Sequence, residues 1–180
     1  MTKSVFLSIQ QLKLTSTLAL SLVLMACAPE PEVKDVQATE AEIEYLFDRW
    51  NNALQTGDAA AVAAYYANDA VLLPTVSNQV RTDHEGIRDY FGYFLALQPN
   101  GRIDESNITI NGNIAIDAGI YTFSLTKDGQ EQEVQARYSF VYERQNDGEW
   151  LIINHHSSAM PEEIVDEPEL MKNILIKEQG

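Results

Sequence analysis

From Thr39 onward the apolar residues first recur at the spacing of a helix. Ile43, Leu46, Phe47, Trp50, Ala53 and Leu54 fall on one side, the stripe that an amphipathic helix buries. Thr39 with Glu42 ahead of that stripe is a capping-box pattern and sets the start. "TGD" at 56–58 closes this helix and caps another, "AAAVAAYYAND", after which "AVLLP" predicts a short buried strand stopped by Pro74. "HEGIRDYFGYFLAL" predicts a third helix whose apolar surface is Ile87, Tyr90, Phe91, Phe94, Leu95 and Leu97.

At Ile103 the period changes to two. "IDESNITI", "IAIDAGIYTFSLT", "QEVQARYSFVYER" and "EWLIINHHSS" read as strands, separated by "NGN", "KDGQ" and "QNDG", each a turn with a residue suited to positive φ. Helices followed by an antiparallel meander predict an α+β domain in which a curved sheet wraps the helices. The tail "PEEIVDEPELMKNILIKEQG" has Leu170, Met171, Ile174 and Leu175 on one side of a short helix that could begin at Pro168.

The amino terminus has a pattern of its own. Lys3 and Lys13 precede "LTSTLALSLVLMA", an apolar run of the size of a secretory signal core and short for a permanent span. It ends in "LMAC", which resembles a bacterial lipoprotein box with Cys27 as the lipidated residue. Ordinary cleavage around Cys27 is the competing reading, and it would set Pro29 close behind the cut. The expected organisation is therefore a leader over 1–26, an acidic, Pro-rich tether over 27–38, a domain over 39–161 and an extension over 162–180. Ala28 after the cysteine favours the outer membrane of a Gram-negative envelope, facing the periplasm.

Composition narrows the partners. The chain of 180 residues is 45% hydrophobic, enough for one core, and its formal charge of −15 without any basic stripe argues against nucleic acid. Cys27 is the only cysteine, so an internal disulfide and a Cys-based zinc site are both excluded. No flavin or nicotinamide motif is present, and neither a cofactor nor a metal is expected.

Two features suggest chemistry. His155 and His156 sit side by side on a predicted strand, where neighbours face opposite ways unless a bulge intervenes. Counting from Trp150, the set Leu151, Ile153, His155 and Ser157 alternates with Trp150, Ile152, Asn154, His156 and Ser158. Arg137 lies in the strand-like "VQARYSF", where a cation turned to the core requires an anionic partner or ligand. It is the leading candidate to hold a carboxylate, the alternative being an ion pair with Glu143 or an acid on the adjoining strand. Trp50, Tyr65, Tyr66 and Tyr90 are expected as core first and pocket wall second, and Asp104 and Asp117 as solvent-facing.

Taken together, "LQTGDAAAVAAYYANDAVLLP", "EGIRDYFGYF" and "ARYSFVYERQNDGEWLIINHHSSAMP" resemble the association domain of calcium/calmodulin-dependent protein kinase II and its bacterial relatives. These form the SgcJ/EcaC family of the nuclear-transport-factor-2-like, or SnoaL-like, superfamily, and the likeness covers about 39–161. It implies a cone of three helices in a strongly bent antiparallel sheet, a pocket between them, and pairing through the outer sheet face into a homodimer or larger ring. It also implies that Tyr90, Tyr121 and Ser157 occupy positions where the kinase's association domain carries a pocket histidine or arginines, and it favours His155 as the inward histidine.

The expected function is a lipid-anchored, oligomerising cone that binds a small polar or acidic molecule without kinase activity, using Arg137, Tyr90, Tyr121, His155, Ser157 and Trp50. One alternative is a SnoaL-like isomerase, dehydratase or cyclase with His155 or His156 as base. Another is a pure assembly module whose cavity is closed by aromatic side chains.

Overall fold

The computed structural model describes residues 37–160. The expected leader, Cys27, nearly all of the tether and the C-terminal extension lie outside the described residues. Ala38, assigned to the tether, is buried against the core.

Helix α1 runs Glu40–Leu54, with Thr39 Oγ1 accepting from the Glu42 N–H at 3.2 Å. The carboxylate of Glu42 does not turn back to the cap. It accepts the Trp150 indole N–H at 3.0 Å, joining the start of the first helix to the start of the last strand. Ile43, Leu46, Phe47, Trp50, Ala53 and Leu54 are all buried. The next helix, α2, is only Ala59–Ala63, capped by Asp58, and strand β1 already begins at Tyr66 and ends at Leu73. Helical propensity across 64–69 gives way here to pairing with the last strand, since the N–H of Ile152 reaches Tyr65 O at 2.8 Å. Helix α3 is His84–Phe94, followed by a 3-10 turn over Leu95–Leu97.

Strands β2 (Asn100–Asn111), β3 (Ile114–Lys127), β4 (Gln130–Arg144) and β5 (Trp150–Ala159) form an antiparallel meander. The sheet order is β1-β5-β4-β3-β2, with β1 parallel to β5. The turns match their sequence signals: Gly112, Asp128, Gly129 and Gly148 all have positive φ.

Irregularities in register occur in β1, β2 and β5, where bulges bend a sheet. In β2 the register shifts between Ile103 and Glu105, and the backbone of Glu105 comes down on Gly119 so closely that a Cβ there would collide with its carbonyl. In β5, Val141 pairs with Asn154 and Tyr142 with Ile152, which leaves Ile153 as the extra residue.

One face of the sheet holds the core. Tyr121, Phe123, Ala136, Tyr138, Phe140, Tyr142, Ile152 and His155 are buried, and Phe47, Trp50 and Phe94 of the helical segments pack ring to ring against Tyr121, Phe123 and Phe140. The outer face carries Ile116 paired with Val141, Ile120 paired with Arg137, and His156 opposite Ser139. Among the described residues no helix is long and apolar enough to cross a membrane.

Candidate functional site

The helices and the inner sheet face leave a cavity of about 50 Å³ between them, walled by aromatic and aliphatic side chains. Trp50 comes from α1, Tyr90 from α3, Tyr121 from β3, and His155 and Ser157 from β5, with Thr75 from the loop after β1. A void of that size holds a few water-sized groups, well below the range of a drug-sized site. The bulge at Ile153 produces this arrangement. Strict alternation would pair Leu151 and Ile153 with His155, yet Trp150 and Ile152 point inward, and the extra residue resets the phase so that His155 points inward as well.

His155 is 4% exposed and held on several sides. Its ring stacks on Phe140 at 4.0 Å between centroids and meets Trp50 edge-on at 5.4 Å. Trp50 Nε1 donates to the Tyr66 hydroxyl at 3.1 Å, and that hydroxyl lies 2.9 Å from His155 Nδ1. An indole nitrogen only donates, so Tyr66 accepts from Trp50 and has its single hydrogen left for Nδ1. The opposite assignment would strand that hydrogen in a fully buried site, at a cost of about 1–3 kcal/mol. Neutral His155 therefore carries its own hydrogen on Nε2, which is buried without a partner. Burial, and next the charge of His156, pull its pKa down to about 3.

A second polar group also lines the cavity. The Tyr121 hydroxyl donates to Ser157 Oγ at 2.5 Å, and Ser157 in turn shares a short hydrogen bond with Thr75 Oγ1. Burial holds the phenols of Tyr121 and Tyr90 well above their ordinary range, so both stay protonated.

Arg137 is not in this cavity. It is exposed on the outer face, its guanidinium 3.4 Å from Ala159 O, and with His156 it lines a separate open depression there. The inward placement expected for it is corrected by the pleat: Ala136, Tyr138, Phe140 and Tyr142 take the inner positions, and Arg137 falls between them. Neither Glu143 nor any other carboxylate among the described residues pairs with it. His156 is exposed as well, so the cavity receives one histidine.

Thr75 and Arg81 escape the sequence reading, and Tyr66 and Asp117 stand in other settings than it gives them. Tyr66 reads as helix from its spacing and proves to be the strand residue that fixes His155. Thr75, which closes the hydroxyl chain, sits in a loop that gives no periodic signal. Arg81 is the buried cation, 8% exposed; it donates to Gln79 O at 2.6 Å and lies 6.0 Å over the Tyr90 ring, behind the cavity wall. Asp117, expected in solvent, is 1% exposed and accepts from Ser106 Oγ at 2.6 Å and from the Tyr138 hydroxyl at 2.9 Å. Burial raises its pKa, and those two hydrogen bonds oppose the rise. Ala115, Tyr121, Phe123 and Leu125 stand at even spacings from it on the strand and already turn it inward. Among the described residues no cluster of His, Cys, Asp or Glu has the makings of a metal site.

Known proteins place the fold. The calcium/calmodulin dependent protein kinase II association domain family matches residues 39–161. A structure from Xanthomonas campestris, assigned to the same association-domain class, is 53% identical, covers 70% of this chain and 91% of its own, and superposes with a TM-score of 0.67. A nuclear transport factor 2-like superfamily protein from Salmonella enterica is 17% identical over 70% of this chain and 94% of its own, with a TM-score of 0.60. A Catenulispora acidiphila protein in complex with S-DNPA is also 17% identical, over 66% of this chain and 91% of its own, with a TM-score of 0.59. No curated protein matches the chain. With 123 consecutive positions from Thr39 to Pro161 matched, the chain belongs to the calcium/calmodulin-dependent protein kinase II association domain family.

Proposed function

We propose that this protein is a lipid-anchored, self-associating envelope module whose cone holds a small molecule. The observation that carries the reading is the convergence of Trp50, Tyr90, Tyr121, His155 and Ser157 on one cavity with a buried, unpartnered imidazole N–H. A cavity filled solid would have favoured assembly alone. The 17% identical relative in complex with S-DNPA supports ligand binding as a use of this fold.

Catalysis through a histidine base fits poorly. Nδ1 of His155 is occupied by Tyr66, Nε2 carries the hydrogen, and a pKa of about 3 makes the ring a weak base at neutral pH. His156, the other candidate, faces away from the cavity.

Self-association is supported by the family, whose name is an association domain, and by the outer sheet face. Ile116 is 40% exposed there beside Val141 and Ile120, an apolar centre with Arg137 and His156 near one end. The anchor rests on Cys27 and the apolar run before it.

Native mass spectrometry of the full chain, released from detergent, reads all three parts. The expected particle contains more than one polypeptide, carries the mass of lipid on Cys27, and retains a small molecule when taken from its own host. Ile116→Arg should reduce it to single chains. A wild-type particle that is monomeric at all concentrations, or lacks lipid on Cys27, refutes that part of the proposal.

A further inference from the structure

Two hydrogens on the polar residues that line the cavity have no acceptor among the described residues. His155 lines the cavity while Tyr66 does not. The unpartnered Nε2–H belongs to this cavity-lining ring and is itself covered by its neighbours, so an acceptor in the cavity would meet it only through a small shift of those neighbours. The hydroxyl chain supplies a second donor. Tyr121, Ser157 and Thr75 bring three hydrogens to two hydrogen bonds, so one hydrogen, on Ser157 or Thr75, has no acceptor among the described residues, and both residues line the cavity.

Nothing charged lines the same space. Arg81 lies behind Tyr90 with its guanidinium engaged by Gln79 O and Ser77 Oγ, and Arg137 is on the other face of the sheet. A carboxylate entering this cavity would lose its water and meet no counter-charge, whereas a neutral carbonyl oxygen can accept both donors without that penalty.

We infer that the cavity takes the neutral acceptor end of a small molecule, the carbonyl of a ketone, ester or amide on an apolar body, and discriminates against acids. This rests on the reading of the cone as a small-molecule pocket and replaces the acidic ligand that an inward Arg137 would have favoured. The volume of about 50 Å³ admits the carbonyl and a few carbons, and a longer body would leave past Thr75 and Val76, the latter 60% exposed. His155 acts in this as a neutral donor that stays uncharged across the physiological range.

2-Pentanone and butyrate test it, because they share shape and differ by a methyl group against a charged oxygen. The full chain in detergent, with isotope-labelled histidine, is titrated with each probe while the His155 Nε2–H resonance is followed. The expected result is a saturable shift with 2-pentanone and at least about tenfold weaker binding of butyrate. His155→Phe should weaken 2-pentanone about tenfold, and His155→Gln, which keeps an N–H donor, should recover part of the loss. The two-probe comparison on the wild-type chain stands even if neither variant folds. Butyrate binding as tightly as 2-pentanone overturns the ligand class and leaves the pocket reading intact. No response to either probe overturns both. A bound water on Nε2–H that 2-pentanone cannot displace overturns the ligand class, since the donor is then satisfied as part of the fold.

Discussion

Two buried tyrosines offer a direct test of the hydrogen-bond assignment, because the same substitution should act oppositely at each. Tyr66 and Tyr142 are both 1% exposed. The Tyr66 hydroxyl accepts from Trp50 Nε1 and serves His155 Nδ1, whereas the Tyr142 hydroxyl is buried with no partner. Tyr66→Phe strands one donor and one acceptor. Each costs about 1–3 kcal/mol when buried, and the relief from removing the desolvated hydroxyl offsets part, so a loss of about 2–4 kcal/mol is expected. Tyr142→Phe removes a hydroxyl that gains nothing from burial, and it should be neutral or stabilising by about 1 kcal/mol. Urea unfolding at neutral pH measures both as shifts in midpoint at constant slope, at several protein concentrations because self-association would contribute. If the variants differ by less than about 0.5 kcal/mol, or if Tyr142→Phe is the costlier, the assignment of donors and acceptors around His155 is wrong.

Further expectations follow from other sites. The folded pKa of His155 is depressed from 6.5 to about 3, so its contribution is present above pH 6.5 and is lost as the pH falls from there toward 3. The slope approaches 1.4 kcal/mol per unit, or about that, and stability curves of His155→Gln should be flatter over this window; an unchanged slope contradicts the burial argument. Asp117 has the opposite sign, because its folded pKa is raised above 3.8: its contribution is full below pH 3.8 and lost as the pH rises through the folded value. The stability of Asp117→Asn relative to wild type should therefore improve between pH 4 and pH 7, as read by urea midpoints, and a relative decline would refute it. Gly119→Ala drives a methyl into the Glu105 carbonyl, backbone that no rotamer change can move, and should cost about 1–3 kcal/mol or more; a thermal midpoint equal to wild type would show that the bulge yields. Arg137→Ala should change stability by less than about 0.5 kcal/mol and leave 2-pentanone affinity unaltered in the titration described above.

Much of the architecture could be read from spacing, because a stripe such as Ile43, Leu46, Phe47 and Trp50 is a local pattern and local patterns survive folding. The boundary between α2 and β1 could not. Tyr66 leaves the helix to pair with Ile152, a partner 86 residues away whose pull has no signature in the neighbourhood of Tyr66. His155 was turned inward for an incomplete reason, since alternation from Trp150 gives the wrong partners and only the bulge at Ile153 brings Trp150, Ile152 and His155 to one side. Arg137 is the instructive case. Its neighbours Tyr138, Phe140 and Tyr142 alternate and already fix its side of the strand, but the expectation weighed the chemistry of a cation above the pleat.

The place of β5 between β1 and β4 makes the final strand a keystone. A nascent polypeptide halted before Trp150 has helices and a hairpin pair but nothing to lie against β1, and it lacks the imidazole and the serine of the cavity. Completion of the sheet, closure of the Glu42 to Trp150 latch and creation of the interior hollow are thus one event that waits for β5, so products truncated before it have no means of presenting a half-made cavity.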